Sequence, residues 1–239
     1  MSSIDDWYWQ DLPQTTSTND DALALSHNPP AEKFVITAEK QVAGRGRRGR
    51  SWIGLDGNLF MSLAVQVPLK DLGQLIFAVS LSLAEVIEKL APRGKVSLKW
   101  PNDVLLEGEK VSGILLEKGE GEYIIAGLGV NIKAAPEKVA LLYHSTSLRA
   151  HEIEIERLDF LRLYLRRFDE NMLLWHQEGF EPIRQNWLKK AQSLGQMIRV
   201  VNGEEEKNGI FLDVDNNGLL LLQIGDKVEK IYAGDVFYK

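Results

Sequence analysis

Hydrophobic positions recur along this chain in two rhythms. Ile76, Val79, Leu83, Val86 and Leu90 follow at alternating intervals of three and four, which predicts a helix over 75–90 with one buried stripe, stopped by Pro92 and Gly94. Leu158, Leu161, Leu165, Phe168, Met172 and Trp175 predict a second long helix capped by Gly179, and Ile183 with Trp187 a short one after it. Short β-branched or apolar runs predict strands over 34–38, 59–67, 96–98, 104–106, 111–117 and 123–130. The chain reads as loosely helical from Ala135 and as a linker over 189–195. Beyond it, segments 197–201, 209–214, 219–223 and 228–232 predict a small all-β unit, with Asp215-Asn216-Asn217-Gly218 as a hairpin turn. Glu204-Glu205-Glu206 reads as a solvated loop. Ser17 and Asp20, just before Ala22, Leu23 and Leu25, read as a capping box on a short helix, or as hydroxyl and amide groups offered to a neutral ligand.

Composition narrows the class. With 44% hydrophobic residues, the 239-residue chain has enough apolar material for a core, as one large domain or one with a small appendage. No cysteine is present, which excludes disulfides, thiolate catalysis and cysteine zinc sites. His27, His144, His151 and His176 lack metal-ligand spacing and read as surface residues. The acidic start has no signal-peptide pattern, and no apolar run approaches the roughly 20 residues that span a bilayer. These features lead us to expect a soluble cytoplasmic protein.

Charge is uneven. The whole chain carries −6, yet Lys40 and four arginines stand against Glu39 in the stretch 39–52, which contains Gly44-Arg45-Gly46-Arg47-Arg48-Gly49-Arg50-Ser51-Trp52. Glycines let a backbone turn sharply against a ligand. Guanidiniums grip carboxylate or phosphate oxygens two at a time, and would repel one another here unless anions lay between them. Trp52 adds a face for a base. The stretch reads as a loop closing over a polyanion. It also spells Gly-x-Gly-x-x-Gly, but that dinucleotide fingerprint needs a helix after it, and residues 53–58 show no helical period. A nucleic-acid patch and a plain solvated loop are the other readings; the acidic composition opposes the first.

Two further places carry chemistry. In Lys99-Trp100-Pro101-Asn102-Asp103, proline breaks a strand pair and aims Lys99, Asn102 and Asp103, unless it is an ordinary turn. Gly113, Gly127 and Gly129 interrupt apolar strands, where glycine often marks a ligand pressed on backbone. Lys110 stands at the mouth of the first of these strands.

These blocks, over 38–52, 99–117 and 127–131, resemble the biotin protein ligases, in that family's order. The tail more loosely resembles the family's C-terminal barrel of the Src-homology-3 kind. The resemblance implies an α+β fold, a mixed sheet with flanking helices like a class II synthetase core. It implies a catalytic domain over 1–192 and a small β-barrel over 193–239. It also implies ATP-dependent activation of biotin to biotinyl-5′-adenylate, with Mg²⁺, and transfer to a lysine of a biotin carboxyl carrier protein. Lipoate ligases share the core, but the arginine-rich loop is the biotin branch's. Motifs begin by Ser17, leaving no room for the DNA-binding repressor module of many members, so we expect no DNA or membrane partner; a homodimer is one of the family's states.

By the same resemblance, Ser17, Thr18, Asn19 and Gln41 line the ureido ring, with Gly44, Gly46 and Gly113 along the biotin site. Arg45, Arg47 and Lys110 meet the biotin carboxylate and phosphate. Arg48, Arg50, Trp52, Asn102 and Asn131 face ATP. Asp103 attends both half-reactions with Lys99, and the Mg²⁺ ligands stay unassigned.

Overall fold

The computed structural model describes residues 6–137 and 144–238. Seven strands form one mixed sheet in the order β1-β2-β5-β9-β8-β7-β6. They are β1 (Tyr8–Leu12), β2 (Phe34–Ala38), β5 (Leu59–Gln66), β6 (Val96–Lys99), β7 (Asp103–Leu106), β8 (Glu109–Lys118) and β9 (Tyr123–Val130). Only β1 with β2 is parallel; every other neighbour pair is antiparallel. The edge strand β1, with mostly exposed side chains, has no apolar alternation and gave no signal in the sequence.

Three helices cover one face: α2 (Leu72–Leu90), α3 (Arg157–Glu178) and α4 (Phe180–Leu188). Period-two alternation divides the strand residues between faces. Val35, Met61, Leu63, Val65, Ile124, Ala126 and Leu128 join the main core beneath these helices. Phe34, Ile36, Ala64 and Ile125 point the other way, under the short helix α1 (Thr18–Leu25). Because α1 spans only eight residues, it covers only part of that second face. The rest carries Ser62, Gly113, Gly127 and Gly129, and there the cavity lies.

Some expectations change. The α2 stripe is wider than predicted, since Ala78, Leu81, Ala84 and Ile87 are buried too and the helix starts three residues earlier. In α3 the buried face centres on Phe160, Leu161, Tyr164, Leu165 and Phe168, leaving Leu158, Met172 and Trp175 partly exposed at its margins. The looser helix from Ala135 falls partly on 138–143, outside the described residues. Past them, 144–156 holds only one 3₁₀ turn, Arg149–His151. Ser17 sits at the α1 N-cap but makes no side-chain cap; Asp20 faces Arg45 at 2.7 Å instead, so a tertiary ion pair displaces the capping box.

The C-terminal residues form an antiparallel five-stranded sheet, β13-β12-β11-β10-β14. Its strands are β10 (Met197–Asn202), β11 (Glu205–Val214), β12 (Leu220–Ile224), β13 (Lys227–Ile231) and β14 (Asp235–Tyr238). Glu205 and Glu206 belong to β11 rather than a loop, paired across from Asn202 and Val201. The strand β14 was not foreseen from sequence. The unit docks on the core where Trp100 Nε1 donates to Gly218 O and Gln74 Nε2 to Asn216 O.

Candidate active site

The arginine-rich stretch folds as a miniature hairpin. β3 (Gly44–Arg45) pairs with β4 (Ser51–Trp52), and a 3₁₀ turn over Arg47–Gly49 joins them. A strand follows the glycines where the dinucleotide fingerprint requires a helix, so that reading is excluded. Positive φ falls at Arg48 (56°) and Gly49 (72°), which is the tight bend glycine permits.

The anions needed between the guanidiniums are the protein's own carboxylates. Arg45 lies 2.7 Å from Asp20 and 2.7 Å from Glu117. Arg48 and Arg50 share Asp235 of β14, at 3.3 and 2.8 Å. Arg48 also donates to Asn202 and lies outside the cavity lining, against the C-terminal sheet rather than where a nucleotide was expected. Arg47 differs. It donates to the neutral Asn102 Oδ1 at 2.9 Å, and no carboxylate among the described residues stands within ion-pair distance. Burial pushes its pKa down, as do Arg48 and Arg50, while Asp235 and Asp103 act in the opposite sense.

The cavity beneath this hairpin has a volume of about 400 Å³. One end is neutral and polar, built by Ser17, Thr18 and Asn19 at the start of α1 and by Gln41. The middle holds Arg45, Gly46, Arg47, Arg50, Asn102, Asp103 and Lys110; Trp52, Gly113, Gly129 and Asn131 line the other side. Gly44 is the one biotin-site residue expected from sequence that does not line it; a Cβ there would fall on the Gln41 amide, so its role is to admit that side chain.

Lys110 reaches the cavity because of a β-bulge. Leu105 pairs with Lys110 and Val104 with Ser112, so Val111 is an extra residue on β8. Without it Lys110 would alternate onto the helix-covered face. Its Nζ stands 2.7 Å from Asp103 Oδ1 and 5.5 Å from the Trp52 ring centroid. No pattern in the sequence announces this bulge.

Lys99 is not on the cavity wall. It pairs with Asp103 across the β6–β7 hairpin and lies 5.3 and 5.8 Å from the Tyr238 and Phe237 rings. Burial lowers its pKa to about 8, with Lys110 and Arg50 adding to the depression against Asp103 and Asp235.

The glycines admit side chains, not only ligand. A Cβ on Gly113 or Gly129 would collide with the Trp52 indole, and one on Gly127 with the Asn19 amide. Among the described residues Trp52 Nε1, an indole donor at the cavity side, is buried without a hydrogen-bond partner. Asn131 is held by Thr146 O and by Asn58, a residue unmarked by any motif. Asn58 Oδ1 accepts the backbone N–H groups of Ile132, Lys133 and Ala134. Among the described residues no trio of His, Asp or Glu could hold a metal ion.

Comparison with known proteins bears on the family. Residues 12–131 match the model of the biotin/lipoate A/B protein ligase family, and residues 193–239 that of the biotin protein ligase C-terminal domain. The biotin–[acetyl-CoA-carboxylase] ligase of Paracoccus denitrificans is 36% identical over 240 residues, covering 95% of this chain and 99% of that one. The chain belongs to the biotin protein ligases. The ligase of Mycobacterium tuberculosis is 32% identical, with 96% of this chain and 90% of that one covered. Among structures of biotin protein ligases, that from Aquifex aeolicus in complex with biotin and ATP superposes with a TM-score of 0.83 at 26% identity, covering 96% and 97% of the two chains.

Proposed function

We propose that this chain is an ATP-dependent biotin protein ligase. It joins the biotin carboxylate to the α-phosphate of ATP, releases pyrophosphate, and passes the biotinyl group from the adenylate to a lysine of a biotin carboxyl carrier protein. The observation that carries the reading is the cavity's polarity along its length. A neutral donor–acceptor end suits a ureido ring, and the cationic middle suits the meeting of a carboxylate with a phosphate.

That meeting brings two anions together, so its barrier is largely electrostatic. Cations already fixed in a water-poor site stabilise developing charge without reorganising. Arg47 meets this requirement, because its hydrogen-bond partner is the neutral Asn102 and no carboxylate among the described residues stands within ion-pair distance of it. Lys110 supplies a second cation once an incoming carboxylate competes with Asp103 for it. Charge-assisted contacts of this kind contribute about 1.5–3 kcal/mol each. After adenylation Asp103, released from Lys110, is the base placed to take a proton from the acceptor amine. Trp52 and Asn131 take the adenine, with the indole N–H still to be used. Mg²⁺ bound with the nucleotide would offset phosphate charge, with phosphates and water as most of its ligands. Asp103 and Asp235 are the carboxylates on the cavity wall, where each would add an oxygen to it. We assign 1–192 to catalysis and 193–239 to a small domain that contributes Asp235 to the cavity wall.

The test is incubation with ATP, Mg²⁺, biotin and a carrier domain, followed by mass measurement. We expect an ATP-dependent gain of one biotinyl group; no gain, together with no biotin-dependent pyrophosphate release, would end the reading.

A further inference from the structure

Behind the neutral end of the cavity runs a chain of side-chain hydrogen bonds that starts at Glu117 on β8. Asn19 Nδ2 donates to Glu117 Oε2 at 2.6 Å. Ser62 Oγ lies 2.5 Å from Asn19 Oδ1 and 2.8 Å from Thr18 Oγ1. Thr18 N donates to Gln41 Oε1 at 2.9 Å. Ser62 and Asn19 are buried, and glycine at 127 leaves space for the Asn19 amide against the sheet. Thr18, Asn19 and Gln41 line the cavity; Ser62 and Glu117 do not.

The direction of every proton in this chain follows from its two ends. Glu117, paired with Arg45 at 2.7 Å, is a carboxylate with no proton to give. Asn19 must therefore turn its NH₂ to Glu117 and its carbonyl oxygen to Ser62. That oxygen only accepts, so Ser62 spends its single proton there. The single Thr18 proton has two acceptors in reach, Ser62 Oγ at 2.8 Å and Gln41 Oε1 at 3.2 Å, and it goes to the nearer one because Gln41 Oε1 already accepts the Thr18 N–H. Thr18 Oγ1 is left with lone pairs and nothing to donate. At the other end the backbone N–H of Thr18 fixes Gln41 Oε1 as acceptor, so Gln41 Nε2 is the donor. An acceptor and a donor thus stand side by side, the complement of an N–H next to a C=O.

We propose that Glu117 and Ser62 are positioning residues that set the cavity's preference for the cyclic urea: the carboxylate orders the chain so that Thr18 accepts from a ureido N–H. The proposal rests on the ligase reading for the identity of its substrate. Neither residue touches the ligand, and their effect is on which heteroatom pattern is preferred rather than on the space available. A site built to pair with an N–H disfavours an analogue lacking it, because the facing lone pairs are then unpaired.

The test compares affinities for biotin and for its two analogues in which one ureido N–H is replaced by a ring oxygen, by calorimetry on the full chain. Wild-type protein should prefer biotin to at least one analogue by roughly tenfold or more. Glu117→Gln lets the Gln amide donate, turns Asn19 round and reverses the chain, so that preference should shrink by about tenfold. Ser62→Ala cuts the chain without touching Arg45 and should shrink it as well. Glu117→Asp, which keeps the charge, should recover part of it. A preference unchanged in both Glu117→Gln and Ser62→Ala overturns the proposal, as does an equal loss of affinity for biotin and analogues, the signature of mere structural support. Wild-type protein that binds no biotin would instead overturn the ligase reading beneath it.

Discussion

Arg47 is the cation on which the proposed chemistry leans most. Its guanidinium is held by Asn102 and by no carboxylate within ion-pair distance among the described residues, so its removal costs the fold little and the reaction much. Arg47→Ala should keep its unfolding midpoint within a few degrees while biotin-dependent pyrophosphate release falls by about 10²–10³-fold. Lys99 makes a different prediction. Its pKa, about 8 in the fold, lies below the ordinary 10.5, so the unfolded chain binds the extra proton between those values. The penalty for burying its charge is fully present below pH 8 and is relieved as pH rises toward 10.5. Unfolding free energies of wild type and Lys99→Met, measured from pH 7 to 10, should show the wild type gaining on the order of 2 kcal/mol relative to the variant. At this scale the motif stood out in the sequence, because arginines and an indole set among glycines form an unusual pattern. Their partners were not: Asp20, Glu117 and Asp235 are ordinary acidic residues until the fold brings them to the arginines.

Among the elements, the loop after β9 shows how a side chain can stand in for secondary structure. Asn58 accepts three consecutive backbone N–H groups and so holds Asn131 at the cavity wall. Asn58→Ala leaves the buried Ile132 donor unpaired, at about 1–3 kcal/mol, and the Lys133 and Ala134 donors, part-buried, to be met in part by water. We expect a loss of roughly 2–4 kcal/mol in urea unfolding and a raised KM for ATP, with the KM for biotin much less affected. Strands with strong apolar runs, such as β2 and β9, were readable from sequence. The strands β1 and β14 were not, since one is mostly exposed and the other is four residues long, too little to show a period. The bulge at Val111 was equally hidden, although it decides on which face Lys110 emerges.

At the level of the whole molecule, an acidic chain of net charge −6 concentrates cations in one hairpin and holds them with carboxylates from three distant segments. Asp235 ties the C-terminal sheet to the hairpin through two arginines, and Asn202 through one of them. Asp235→Ala should leave that sheet docked through Trp100 and Gln74, with little change in thermal midpoint, but remove the ion pairs that hold Arg48 and Arg50. Limited trypsin digestion should then cut the hairpin several-fold faster than in wild type; equal rates would show that β14 does not restrain it. Periodicity and glycine placement, read from the chain alone, indicated the two long helices, most strands and the residue types proposed to carry the chemistry, because these depend on patterns within a few positions. Charge pairing and the face on which Lys110 emerges were decided only by the folded molecule, because each depends on groups far apart in sequence meeting across a sheet.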